Sequence, residues 1–405
     1  MIYNDLQEQL LRDLSELCAA AHRHPGSQNN RRATDYVRRR LAGAGCEVQT
    51  TPLDCLDWEY GEIVLRVGNE PLAAFIGPYS ESCQIRSRFQ TAASLGELAA
   101  VEVSDQILVL YGDLCQEQLA AKNFVFYNPL LHQQIIALLE QKHPWAVIAI
   151  TGCNPATTGA LCPFPLIEDG DFHIPSAYVS EREGAIILAH PEEELYLSME
   201  SRRIPSRAYN VSGSRRGRCP ERLVFCAHID SKKSTPGAVD NAGGVCLLLA
   251  LADLLQSYTG KYTIELLAIN GEDYYAYPGG MRYLADHAGQ MEQIRLVVNS
   301  DGVGARGSRT TYCSFNAGEQ ISSVLESAFH DENRYLLTEP WYQSDHAMFA
   351  LQGVPAVALT TEAFSQVWAT IAHTEKDTVD QVDTGILAGV ALSLRELIDT
   401  LSQTR

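Results

Sequence analysis

His228, Asp240, Asp273, Asp301 and His373 are side chains whose types and order along the chain suit metal ligation, and Glu272 stands directly beside the third of them. His228 and Asp230 close the apolar run Arg222-Leu-Val-Phe-Cys-Ala-His-Ile-Asp230. Glu272 and Asp273 follow Tyr262-Thr-Ile-Glu-Leu-Leu-Ala-Ile-Asn270, and Asp301 follows Ile294-Arg-Leu-Val-Val-Asn-Ser300. Short apolar runs of this kind read as buried strands. An open α/β sheet collects its ligands at the carboxyl ends of such strands, so three of them would deliver imidazole and carboxylate groups to one rim. A mixed His and carboxylate set suits zinc.

Taken singly, each element also has a plainer reading. Asp240, in Gly237-Ala-Val-Asp240-Asn-Ala-Gly-Gly244, precedes a helix start, where a carboxylate serves equally as an N-cap. The glycines around it would let backbone and ion approach closely, and the residues alone leave cap and ligand both open. Asp230 shares a strand face with His228 and is placed to hold its ring. Glu272 and Asp273 are adjacent acids after a buried strand, where desolvation and mutual repulsion oppose ionising both. They are either a solvated turn or one ligand beside one general base for a metal-activated water. Asp301 in Asn299-Ser-Asp301-Gly and His373 in His373-Thr-Glu-Lys-Asp-Thr378 say little alone. The joint pattern says more than its parts.

The elements that must position these groups follow from periodicity. Residues 4–22 and 29–44 read as two helices, the first with Leu6, Leu10, Leu14 and Leu17 at helical spacing, and a strand follows from Cys46. Residues 1–58 thus form the first part of an α/β domain. From 59 to 205, short β-type runs broken by Gly and Pro, with one helix near 130–142, read as a smaller β-rich inserted domain. The basic stretch Arg202 to Arg218 reads as a solvated linker. From 206 to 405 strands and helices alternate regularly. That alternation predicts an α/β fold with a mainly parallel mixed sheet and helices on both faces.

Composition narrows the class. The chain has 405 residues, 46% of them hydrophobic, with 50 acidic against 31 basic side chains and a formal charge of -19. Such a balance argues against nucleic acid or an anionic membrane as the main partner. No apolar run approaches the ~20 residues of a membrane span. The amino terminus reads as an amphipathic helix without a basic n-region and apolar core, so no secretory signal is expected. The 11 cysteines, several inside strand or helix patterns, fit free thiols of a reducing compartment, and a cytoplasmic location is expected. Cys153 and Cys162 flank a loop and could pair if oxidised.

The set His-x-Asp (228–230), Gly-Ala-x-Asp-Asn-Ala-x-Gly (237–244), Glu-Asp (272–273), Asn-x-Asp (299–301), Ser344-Asp-His-x-x-Phe349 and His-Thr-x-x-Asp-Thr (373–378) resembles metallopeptidase family 28. That family holds di-zinc leucyl-type aminopeptidases and the glutaminyl cyclases. The inserted segment is similar in texture and position to a protease-associated domain. The resemblance implies a zinc-exopeptidase fold with Asp240 bridging two zinc ions. It implies His228 and Asp301 at one ion, Asp273 and His373 at the other, Glu272 as general base, Asp230 as orienting acid, and a cis bond between Asp240 and Asn241. The implied activity is removal of amino-terminal residues from short peptides, and homo-oligomerisation is left open. Two positions depart from the family pattern: Asp273 stands where Glu is usual, and Ala372 where many peptidase members carry an oxyanion-stabilising Tyr. Tyr274, Tyr275, Tyr277 and Tyr342 are the candidates to replace it. The alternatives are a glutaminyl cyclase-like zinc acyltransferase, which His228-Ile-Asp-Ser-Lys232 echoes, and a catalytically inactive binding homologue.

Overall fold

Leu6, Leu10, Leu14 and Leu17 line one face of the first helix, α1 (Tyr3–Ala19), and all four are buried. A computed structural model of the chain describes residues 3–19, 22–124, 128–153 and 161–403. The residues fall into two compact units, Met1–Cys55 with Ser206–Arg405, and Leu56–Pro205. After α1 the first unit adds α2 (Gln28–Gly43), whose N-cap Ser27 accepts a hydrogen bond from the Asn30 amide. Strand β1 (Glu47–Val67) then carries the chain into the second unit.

The second unit comprises β2 (Glu70–Leu72), β3 (Phe75–Ile76), β4 (Cys83–Ser87), β5 (Phe89–Ala92), α3 (Leu95–Ala100), β6 (Ile107–Leu110), α4 (Leu130–Lys142), β7 (Ala146–Thr151), β8 (Ser176–Ser180) and α5 (Glu181–Ala189). Its sheet has the order β3-β8-β7-β6-β5. The central strands are parallel and only β3 runs antiparallel to its neighbour. Leu108, Leu110, Val147 and Ala149 belong to one apolar cluster, and Ile107, Val109, Ala146 and Ile148 to another, so the strands are buried on both faces. The segment expected to be simply β-rich is therefore itself a small layered α/β unit. Helices α3 and α5 are too short to show a clear period in sequence.

Strand β9 (Leu195–Arg215) returns the chain to the first unit. Most of the stretch read as a solvated linker, 202–218, is thus strand, with Val211 opposite Ala268 and Arg215 opposite Ile264. The basic side chains masked it, since the residues that bury themselves, Ala208, Asn210 and Val211, carry little apolar signal between arginines. The rest of the unit is β10 (Arg222–His228), α6 (Gly243–Leu254), β11 (Thr263–Ile269), α7 (Pro278–Asp286), β12 (Ile294–Ser300), β13 (Thr310–Phe315), α8 (Glu319–Ala328), β14 (Tyr335–Leu337), α9 (His346–Ala350), β15 (Ala356–Thr361), α10 (Phe364–Thr370) and α11 (Thr384–Gln403).

In the first unit the strands stand in the order β14-β13-β15-β12-β10-β11-β9-β1. Neighbours among β15, β12, β10 and β11 are parallel, with Cys226 opposite both Leu267 and Asn299, and Asn299 opposite Ala358. β13 and β9 run antiparallel to this central group. Four parallel strands end at one rim, and His228, the 270–273 turn and Asp301 emerge there from neighbouring strands. Along β10, Leu223, Phe225 and Ala227 enter the main apolar cluster with α1, α2, α6, α8 and α11. Val224, Cys226 and His228 therefore face the opposite side. There α7 reaches the sheet through Tyr283, whose hydroxyl donates to Glu265 at 3.2 Å.

Candidate metal centre

Backbone geometry at the strand ends decides where the acids point. The Asp230 carboxylate receives three backbone amides of the next strand's terminal turn: Oδ1 accepts from Gly271 (2.6 Å) and Glu272 (3.3 Å), and Oδ2 from Asp273 (3.0 Å). Gly271 has φ 89°, a left-handed conformation that suits glycine at this tight turn. Asp230 was expected to hold the His228 ring through its carboxylate. Both groups of Asp230 face the ring: its backbone carbonyl lies 3.2 Å from His228 Nδ1 and carboxylate Oδ1 3.7 Å from it. The carboxylate shapes the turn bearing Glu272 and Asp273, which no strand-face argument reveals.

Asp240 lies in the π-type turn Ala238–Ala242, and its peptide bond to Asn241 is cis. Asp377 holds this turn, accepting from the amides of Val239 (2.7 Å) and Asp240 (3.1 Å). Asn241 donates to the Ser300 carbonyl at 2.8 Å and accepts from the Gly244 amide at 3.0 Å, tying the turn to the end of β12 and to the start of α6.

These supports bring all five expected ligands together. His228 Nε2 is 3.1 Å from Asp240 Oδ1 and 3.4 Å from Asp301 Oδ1. His373 Nε2 is 2.8 Å from Asp240 Oδ2 and 3.0 Å from Asp273 Oδ1. Two clusters result, His228–Asp240–Asp301 and Asp240–Asp273–His373, each with its ligand atoms within 4.8 Å of one another. The aspartate is shared, one oxygen turned to each histidine. Asp273 reaches its cluster although its side chain is short, because the amides held by Asp230 bring the backbone to it.

The donor set fits a pair of divalent ions. Ligand atoms held roughly 2.0–2.2 Å from one zinc stand about 3–3.5 Å apart, the spacing seen here. Among the described residues, His228 Nε2, Asp301 Oδ1 and Asp273 Oδ2 are buried without a hydrogen-bond partner, an arrangement that is costly unless a cation satisfies them. The charges agree. Burial alone would lower His228, but the carboxylates of Asp301, Asp230 and Asp240 around it outweigh that and hold the ring well above its ordinary value. His373 is likewise raised to about 10, against burial, by Asp273 and Asp240. Asp240 is held well below the usual carboxylate range, its burial outweighed by the two histidines. Glu272 is pushed well up, chiefly by burial, with His228 opposing and Asp301 and Asp273 adding to the rise. The site is a concentration of anions that draws positive charge from whatever is near.

Further residues belong to this centre that sequence reasoning gave no role. Ser344 donates to Asp301 Oδ2 at 2.6 Å. Asp345, fully buried, accepts from Tyr277 at 2.8 Å on one oxygen and has no hydrogen-bond partner for the other. Burial chiefly raises Asp345 to about 7. The Lys232 ammonium donates to the Asp273 carbonyl at 2.7 Å. Ser344 and Asp345 stand inside a motif quoted above, so the signal was present without an assigned role. Of the tyrosines considered for the oxyanion, Tyr277 is buried and donates to Asp345, and Tyr274 is buried with its ring 4.4 Å from that of Tyr275. Tyr342 is half exposed and packs on Phe315 at 4.7 Å between centroids.

Fold and site together define a class, an α/β protein in which two clusters of candidate metal ligands share one carboxylate at the strand ends. Residues 210–398 match the model of peptidase family M28. A probable leucine aminopeptidase 2 of Aspergillus oryzae is 24% identical over 334 residues, covering 76% of this chain and 62% of that protein. The chain thus spans less than two thirds of that relative. Among solved structures, an aminopeptidase from Aneurinibacillus sp. strain AM-1 superposes with a TM-score of 0.77 at 17% identity, over 98% of this chain and 93% of that one. BSAP, a zinc aminopeptidase from Bacillus subtilis, gives 0.74 at 16% identity over 98% and 95%. No helix among the described residues is long and apolar enough to cross a membrane.

Proposed function

We propose that this protein is a zinc-dependent aminopeptidase that hydrolyses the amino-terminal bond of short peptides with two zinc ions. His228, Asp240 and Asp301 hold one ion, and Asp240, Asp273 and His373 the other. The observation that carries the reading is the Asp240 carboxylate, with one oxygen 3.1 Å from His228 Nε2 and the other 2.8 Å from His373 Nε2. The match to peptidase family M28 and the zinc aminopeptidase sharing the fold support it.

When bound, zinc in such a site polarises the scissile carbonyl and makes water acidic enough to attack at neutral pH. Glu272 takes the proton of the attacking water on its carboxylate and returns it to the departing amine nitrogen. Its raised proton affinity, set mainly by burial, matches that exchange better than an ordinary glutamate would. Asp230 takes the backbone amides of both Glu272 and Asp273 and so fixes the turn from which one acid serves as base and its neighbour as ligand.

The test is zinc content measured alongside turnover of a panel of aminoacyl anilides. Two zinc equivalents with anilide hydrolysis are expected. Saturation at one equivalent with cyclisation of amino-terminal glutamine would replace this reading by the acyltransferase one, and saturation without turnover by the binding homologue.

A further inference from the structure

Arg23, in the segment between α1 and α2, is fully buried. Its guanidinium donates to four backbone carbonyls: Nε to Ile229 at 2.8 Å, Nη2 to Gly237 at 2.8 Å, and Nη1 to Pro236 and, at 3.3 Å, to Leu17. Ile229 directly follows His228, and Gly237 lies three residues before Asp240. One planar fork thus grips both ends of the loop joining the first ligand to the shared one. Its main chain takes part too, the Arg23 amide donating to Ser231 Oγ at 3.1 Å. Gly237 is pressed onto the fork, since a Cβ there would lie 2.9 Å from Arg23 Nη2 and 2.5 Å from the Asp240 carbonyl. The turn's other side is held by Asp377, which takes the Val239 and Asp240 amides on its carboxylate and the Ala238 amide on its carbonyl, at 3.1 Å.

We propose that Arg23 is a positioning residue of the metal centre, which with Asp377 opposite fixes the 229–240 segment so that Asp240 turns one oxygen to each histidine. The inference rests on the two-metal reading above. A guanidinium is the side chain suited to the task, because its donors lie in one rigid plane and reach acceptors at both ends of the loop, whereas a lysine ammonium is a point donor on a flexible stem. Burying a cation is unfavourable unless acceptors surround it. An apolar residue would fill the same space without that cost, so simple packing does not account for an arginine here.

The experiment titrates zinc, in competition with a chromophoric chelator, into the chelator-stripped full-length parent, Arg23→Lys and Arg23→Met, with thermal unfolding of each apo protein measured separately. Loss of a group that orients metal ligands typically weakens binding about 10- to 100-fold. That loss is expected in both variants, with lysine failing to rescue. Folded variants that keep the parent's zinc affinity while melting earlier would show a purely structural role and overturn the proposal. A parent that never takes up two equivalents would instead overturn the two-metal reading, whatever Arg23 does. Should neither arginine variant fold, Asp377→Asn decides the matter: weaker zinc binding supports the clamp on Asp240, and parental affinity overturns it.

Discussion

Asp240 belongs to both clusters, whereas Asp301 and Asp273 belong to one each, so substitutions at these aspartates should separate the two ions. Asp273→Ala is expected to cost one of two zinc equivalents and Asp240→Ala both, read by metal analysis of the folded proteins. Glu272→Gln keeps size and hydrogen bonding but cannot take the proton. Zinc should stay while kcat falls by roughly 10²- to 10⁴-fold. Near-parental turnover would show that another group serves as base. Most of these residues were legible as candidates in the sequence because they end an apolar run or sit in a glycine-marked turn, whereas His373, in a charged stretch, was marked only by the joint motif pattern. The residues that orient them were not legible. Asp377 meets partners 137 and 138 positions away, and Tyr277 and Asp345 are 68 apart. Nothing local marks such pairings, which exist only once strands and loops converge. A further role of Asp230 was hidden for the same reason, since its carboxylate also bonds to the turn after the neighbouring strand.

At the scale of elements, α6 shows why a pattern without polarity still makes a helix. Residues Gly243 to Ala252 are all buried, and the helix packs on α1, α11 and β10. Its start leaves no room for a side chain: a Cβ on Gly244 would lie 2.2 Å from the Ser300 carbonyl and 2.4 Å from Asn241 Oδ1. Gly244→Ala should therefore displace the turn bearing Asp240 and weaken zinc binding, whereas an interior truncation such as Leu249→Ala should destabilise by about 2–5 kcal/mol with ligand geometry intact. Thermal unfolding and zinc titration on both variants distinguish the two effects. Helix α9 begins at His346. His346 is fully buried, its Nε2 2.6 Å from the Trp341 carbonyl, and burial lowers it to about 4 although that hydrogen bond opposes the shift. An unfolded histidine takes its proton near pH 6.5, so this contribution to stability is complete above that pH. It is lost as pH falls from there toward 4, at up to about 1.4 kcal/mol per pH unit. Thermal midpoints measured between pH 7 and pH 5 should fall more steeply for the parent than for His346→Gln, and parallel profiles would sink the idea.

For the whole molecule, the division of labour follows from where the chain crosses between units. Both ligand clusters and the largest apolar cluster are built entirely from residues of the first unit. Two further apolar clusters belong to residues of the second. The crossings run along β1 and β9, which are hydrogen-bonded neighbours. Replacing residues 57–204 with a short turn would therefore join strands already paired and leave the first unit's core intact. The shortened chain is expected to unfold in one cooperative transition and to bind zinc as the parent does, checked by calorimetry and zinc titration. A chain that folds only with the insert present would show that the first unit's core does not suffice on its own. The same variant tests the proposed restriction to short peptides. Cleavage extending to longer peptides after removal assigns that limit to the second unit, and an unchanged length profile, with zinc bound, assigns it to the rim that carries the ligands.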